Sequence, residues 1–100
     1  VQELSQDLNV AWRAVEVALR QLRLTKAAMK VAETKLENET ERFKAGKITA
    51  HILSTVQSEV VKEKLAKEEA LADLIKARIE MYATAGILLE RLSQMKRRRR

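Results

Sequence analysis

Arg42-Phe43-Lys44-Ala45-Gly46-Lys47-Ile48-Thr49 interrupts an otherwise sustained heptad pattern near the middle of 100 residues that contain no proline. Gly46 is the natural residue to end a helix, because the left-handed conformation just past the last turn costs least without a Cβ. Lys44 falls in that last turn, where a cation complements the helix dipole. Thr49 is the expected N-cap of a following helix. Ile48 and Leu53 then take the two positions of a hydrophobic staple, while Ile52 stands where a capping box would want Glu or Gln. So short a loop predicts two adjacent antiparallel helices, about residues 3–45 and 50–92, broken at 46–49.

The flanking patterns agree. Before the turn, Leu4, Leu8, Ala11, Val15, Ala18, Leu22, Thr25, Met29, Ala32, Leu36, Glu39 and Phe43 follow alternating spacings of four and three. Only Thr25 and Glu39 in that row are polar, so it reads as the a/d seam of a coiled coil. Val10, Ala14, Val17, Gln21, Leu24, Ala28 and Val31 form a second row beside it. After the turn one row is Val61, Leu65, Glu68, Ala72, Ile75, Ile79, Tyr82, Gly86 and Leu89. Another is Ala70, Leu74, Ala77, Met81, Thr84 and Leu88. Between Glu59 and Glu69 both are diluted by charge, and that stretch is expected to be more solvated. Two rows on a helix imply a neighbour on each side, whereas an isolated two-stranded hairpin needs one. The expected seam residues are Leu8, Val15, Leu22, Met29, Leu36 and Phe43, with Leu65, Ile75, Ile79, Tyr82 and Leu89. At 1.5 Å per residue each arm would be roughly 60–65 Å long. The fold class expected is all-α, a long antiparallel helical hairpin over residues 1–95. Such a chain cannot wrap a core of its own, and its function is expected in what it packs against.

Composition narrows the function further. The absence of cysteine excludes disulfides and thiolate metal sites, and is compatible with the periplasm. No apolar run reaches the ~18–20 residues of a membrane-spanning helix. The chain begins at Val1 and is expected to be a processed or excised piece, with no signal peptide. Of the formal net charge of +6, five charges belong to Lys96, Arg97, Arg98, Arg99 and Arg100. That run reads as a solvated, disordered tail (residues 96–100), with contact to anionic lipid as the alternative and nucleic acid the weakest reading.

Candidates for chemistry are few. His51 is the lone histidine and reads as a solvated side chain at a helix start; without cysteine partners it closes no metal site within one chain. With two glycines, Gly46 and Gly86, there is no phosphate-cradling loop. Glu63/Lys67 and Lys64/Glu68 read as helix-surface pairs, not acid–base dyads. Trp12 lies off the main seam and reads as a packing or interface residue. Asn38-Glu39-Thr40 matches a glycosylation sequon but falls mid-helix. No catalytic residue, cofactor or metal site is expected, and the chain does not read as an enzyme.

The run Leu36-Glu37-Asn38-Glu39-Thr40-Glu41-Arg42-Phe43-Lys44-Ala45-Gly46-Lys47-Ile48-Thr49 resembles the TolC-like outer membrane efflux proteins. So does Ala70-Leu71-Ala72-Asp73-Leu74-Ile75-Lys76-Ala77-Arg78-Ile79-Glu80-Met81-Tyr82-Ala83-Thr84-Ala85-Gly86-Ile87-Leu88-Leu89-Glu90. The shared pattern is a helix ending in Leu-Glu…Arg-Phe/Tyr-x-x-Gly, a short turn, a Gln near the next helix start (Gln57), and Met-Tyr…Gly near its end. The likeness covers about residues 9–92, and it lies in the spacing from Phe43 and Gly46 through Gln57 to Tyr82 and Gly86.

The resemblance implies a homotrimer in which two repeats per protomer give strands to an outer membrane barrel and helices to a periplasmic α-barrel. This chain would be the periplasmic hairpin of the second repeat, because it ends soon after Gly86 as the family's last helix does. Its membrane strands would lie outside this piece. The tip residues Ala45, Gly46, Lys47, Ile48 and Thr49 would dock a periplasmic membrane fusion (adaptor) protein and, through it, an inner membrane pump; nucleic acid is no partner. Many family members carry acidic residues about six and nine positions after the tip glycine, and here those positions are Ile52 and Thr55. An acidic gate ring is therefore not expected from this hairpin, whose tip Lys47 and His51 make neutral to basic, with Glu41 and Glu59 the nearest carboxylates. An adaptor's own coiled-coil hairpin, which needs one strong seam, and a free-standing helical interaction module are the alternatives.

Overall fold

The computed structural model describes residues 2–98. They form two helices, α1 (Gln2–Lys44) and α2 (Ala50–Arg98), with no strand among the described residues. The absence of proline and the frequency of alanine, leucine, lysine and glutamate favour helix throughout.

Residues 45–49 separate the helices through two capping motifs. Gly46 has φ of 72°, the left-handed conformation expected of it. Its N–H donates to the Phe43 carbonyl and the Lys47 N–H to the Arg42 carbonyl, both at 2.9 Å. These are the two bonds of a Schellman motif, which satisfies carbonyls that the helix end would otherwise orphan. Across the turn the Ile52 N–H donates to Thr49 Oγ1 at 3.2 Å, and the Leu53 N–H to the Thr49 carbonyl at 3.2 Å. Thr49 is therefore the N-cap of α2. Ile48 and Leu53 are both half-buried, as the staple positions require.

Two compact units are present. The first is Gln21–Leu71, which contains the turn. Its core is Leu22, Thr25 and Ala32 from α1 with Val56 and Ala70 from α2. Thr25 is the polar member, and its hydroxyl donates to the Leu22 carbonyl at 2.9 Å, so burial leaves no orphan group. Glu39 is half-buried at its seam position and accepts from Arg42 at 3.1 Å. Between Val56 and Ala70, α2 buries no residue: Val60, Glu63, Ala66 and Lys67 are half-buried there. In the second unit, the start of α1 supplies Val15 and Ala18 to the core, and the end of α2 supplies Leu74 and Ala77.

Of the two apolar rows read on α2, the one through Ala70, Leu74 and Ala77 faces α1. The inward row is Leu53, Val56, Val60, Glu63, Lys67, Ala70, Leu74, Ala77, Met81, Thr84 and Leu88, all buried or half-buried. Leu65, Ile75, Ile79, Tyr82 and Leu89, expected in a helix-packing seam, belong to the other row and are 52–68% exposed. The staple residue Leu53 lies on the inward row, which sets that face of α2 toward α1. On α1 the expectation and the burial coincide: Val15 and Leu22 are buried, Leu8, Met29 and Leu36 half-buried, and Phe43 is 40% exposed beside the turn.

The basic run differs from the sequence expectation. Helix α2 extends to Arg98, beyond the end expected near residue 92, so Lys96, Arg97 and Arg98 are helical where a disordered tail was expected. Lysine and arginine are good helix formers, and cations are favoured in a helix's last turn. Arg99 and Arg100 lie outside the described residues.

Candidate docking tip and exposed apolar rows

The tip exposes small and polar groups. Ala45, Gly46, Lys47 and Thr49 are exposed and Ile48 is half-buried. A Cβ built at Gly46 would meet no atom within 4 Å, so glycine is required there by φ and not by crowding. The backbone N–H groups of Ala45, Gly46 and Lys47 are all spent on carbonyls of α1. Lys44 lies 3.6 Å from Glu41. His51, Ile52 and Thr55 are exposed on the first turns of α2, and the Thr55 hydroxyl donates to the His51 carbonyl at 3.1 Å. Of the two carboxylates nearest the turn, Glu41 pairs with Lys44 and Glu59 with Lys35, at 3.3 Å.

Among the described residues no three His, Cys, Asp or Glu side chains come together as metal ligands, and no helix is long and apolar enough to cross a membrane. Trp12 is exposed, and its Nε1 donates to Glu16 Oε1 at 2.9 Å. Glu63/Lys67 and Lys64/Glu68 are not among the ion pairs formed by the described residues, which are Lys35–Glu59, Arg42–Glu39 and Lys44–Glu41. Asn38 is exposed within α1.

What the structure does present is apolar surface without a partner. On α1, Val10, Val17, Leu24 and Val31 recur every seven residues and are 59–70% exposed. On α2 the corresponding surface is Val61, Leu65, Ile75, Ile79, Tyr82 and Leu89. At about 100° per residue, the α1 row lies roughly 130° from that helix's inward row and the α2 row roughly 150° from its own. The total accessible surface is 8115 Å² for 11.4 kDa. Rows of this kind mark interaction faces.

The exposure of the α1 row follows from its offset against an unbroken seam. The sequence offers two apolar rows on α2, and the turn carries the signal for which of them faces α1. Leu53 must face α1 as the staple residue, and steps of three and four from it reach Ala70, Leu74 and Ala77. Comparison with protein-family models, curated proteins and solved structures finds no match.

Proposed function

We propose that the chain is a periplasmic wall segment of a TolC-like outer membrane channel serving tripartite efflux or type I secretion. One observation carries this reading: each helix has an exposed apolar row in addition to the row it buries on its partner helix. A wall helix in a closed ring of helices has two neighbours, and the exposed rows are the surfaces on which the second neighbours sit. In this reading three copies of the parent protein close an α-barrel, and the membrane strands lie outside this piece. An adaptor's hairpin would need the inward seam alone, which leaves the exposed rows on both helices without a role.

The tip is the docking point for the hairpin of a membrane fusion (adaptor) protein, which links the channel to an inner membrane pump. Ala45 and Gly46 add little bulk, so helix ends of a partner can approach the backbone closely. Recognition rests on shape and on the exposed side chains of Lys47, Thr49 and His51. Ile52 and Thr55 supply no charge, so this hairpin contributes no acidic gate ring.

A chimera tests the reading. Residues 9–92 are substituted for the second-repeat hairpin of a TolC-like channel, in cells lacking their own channel. Trimer content and export are then measured separately. The proposal expects trimers and export, with Gly46→Asp or Lys47→Glu abolishing export while trimers persist. Failure of the unmodified chimera to form trimers would count against a barrel-wall role, and normal export by both tip variants would refute docking at the turn.

A further inference from the structure

The exposed apolar row of α1 is bordered by charges that one copy of the chain leaves unpaired. Val10, Val17, Leu24 and Val31 alternate along the helix with Ala14, Gln21 and Ala28, and all seven are exposed. At about 100° per residue, Ala14, Gln21 and Ala28 lie roughly 50° from the valine row on the side toward α2. Arg13 and Arg20 lie roughly 50° from it on the side away from α2. These are the core and flanking positions of a further heptad seam, with Gln21 its polar member.

The edge of α2 beside this seam is acidic. Lys35, one heptad after Ala28, meets Glu59 there at 3.3 Å, and Ala28, Val31 and Lys35 line a groove with Glu59 and Lys62. Asp73 and Glu80 follow Glu59 by two and three heptads and so share its face of α2. The α1 positions that correspond to Lys35 at their levels are Gln21 and Ala14, which carry no charge. Arg13, Arg20, Asp73 and Glu80 are all exposed, and the ion pairs among the described residues include none of them. Counted along both helices from the Lys35–Glu59 pair, Arg20 falls within one residue of the level of Asp73, and Arg13 within one residue of that of Glu80. The levels match, but both arginines point away from α2, so a single copy cannot join them.

We propose that the α1 row is the seat for α1 of a second copy of this chain, parallel and in register about a two-fold axis along the helices. Parallel pairing sets the arginine flank of each copy beside the acidic edge of the other. Arg13 then meets the second copy's Glu80 and Arg20 its Asp73, twice over by symmetry. Val10, Val17, Leu24 and Val31 stack on their equivalents, and Gln21 faces Gln21 across the axis, which fixes the register. An antiparallel pair would bring the two arginine flanks to one side and the two acidic edges to the other, opposing like charges. The inference does not rest on the channel reading; in a channel wall the same face of α1 meets the neighbouring helix.

The test uses the full chain, which has no cysteine of its own. Ala14→Cys and Ala28→Cys should each form a disulfide-linked dimer under mild oxidation. Glu33→Cys, roughly 140° around α1 from Ala28, should not. Four exposed ion pairs together contribute about tenfold to association. Arg13→Glu/Arg20→Glu should therefore dimerise at least about tenfold more weakly than the parent at low salt, as should Asp73→Arg/Glu80→Arg. An equimolar mixture of these two variants should recover the parent's affinity, because each then opposes the other's charges with the opposite sign. Cross-linking of Ala14→Cys and Ala28→Cys no greater than that of Glu33→Cys would overturn the proposal. So would linking that appears only when Ala14→Cys and Ala28→Cys are mixed, the result of an antiparallel pair. A mixture of the charge-reversed variants that pairs no better than either alone would refute it as well.

Discussion

Lys35 on α1 and Glu59 on α2 meet at 3.3 Å, Nζ to Oε2, equally far along their helices from the turn. The pair crosses between the helices where α2 buries no apolar residue, so it marks the register in a weakly packed stretch. Both side chains are about half exposed (53% and 47%), which keeps the attraction small. A double-mutant cycle on Lys35→Met and Glu59→Met should give a coupling of about 0.2–0.5 kcal/mol that falls as salt rises. A coupling unchanged by salt would show that the pair acts through packing.

The two glycines should respond oppositely to the same substitution. Gly46 is held at φ of 72°, where alanine costs about 1–2 kcal/mol, and Gly46→Val should cost at least as much. Gly86 lies inside α2 with open space where a Cβ would go, so Gly86→Ala should add about 0.5–1 kcal/mol. Thermal melts of the three variants decide this, and a stabilising Gly46→Ala would remove the Schellman turn from the account.

Thr49→Ala should lower stability by about 1 kcal/mol, because the Ile52 N–H loses its side-chain acceptor. Thr49→Ser and Thr49→Asp should retain most of it. Denaturant titration at one protein concentration measures all three, and an alanine variant as stable as the parent would show that water replaces the cap without cost.

The parts of this structure readable from sequence are those set by local chemistry. Gly46 and Thr49 specify their own turn, since a left-handed cap and an N-cap depend on a handful of adjacent atoms. The α1 seam was readable because its apolar spacing continues through Leu8, Val15, Leu22, Met29 and Leu36. Helix α2 was ambiguous because it has two apolar rows, and the one with the larger side chains, Ile75, Ile79 and Leu89, is the exposed one. Bulk argued for burial there, but the face of α2 that meets α1 is the one carrying Leu53, Ala70, Leu74 and Ala77. The basic run was misread for a similar reason: charge was weighed as disorder, while propensity and the helix dipole carried α2 through Arg98.

Adjacent residues on α2 therefore separate the inner seam from the outer row. Leu74 is 4% exposed and Ile75 52%. In dilute solution Leu74→Ala should cost about 2–5 kcal/mol, the range for a core leucine, while Ile75→Ala should stay within about 0.5 kcal/mol of the parent. On α1, Leu22→Asp should unfold the chain, whereas Leu24→Asp, two residues on, should leave its helicity intact, as followed by circular dichroism. Equal losses at Leu74 and Ile75 would contradict the assignment of the inward row.

The central claim is that the exposed rows are seats for further helices. Sedimentation equilibrium of the purified chain tests it most directly, run beside Leu24→Gln/Val31→Gln and Ile75→Gln/Ile79→Gln. The account predicts that the parent associates reversibly as concentration rises, and that each double variant is shifted toward monomer with unchanged helicity. A parent chain that stays strictly monomeric up to millimolar concentration, or variants that associate as strongly as the parent, would contradict it.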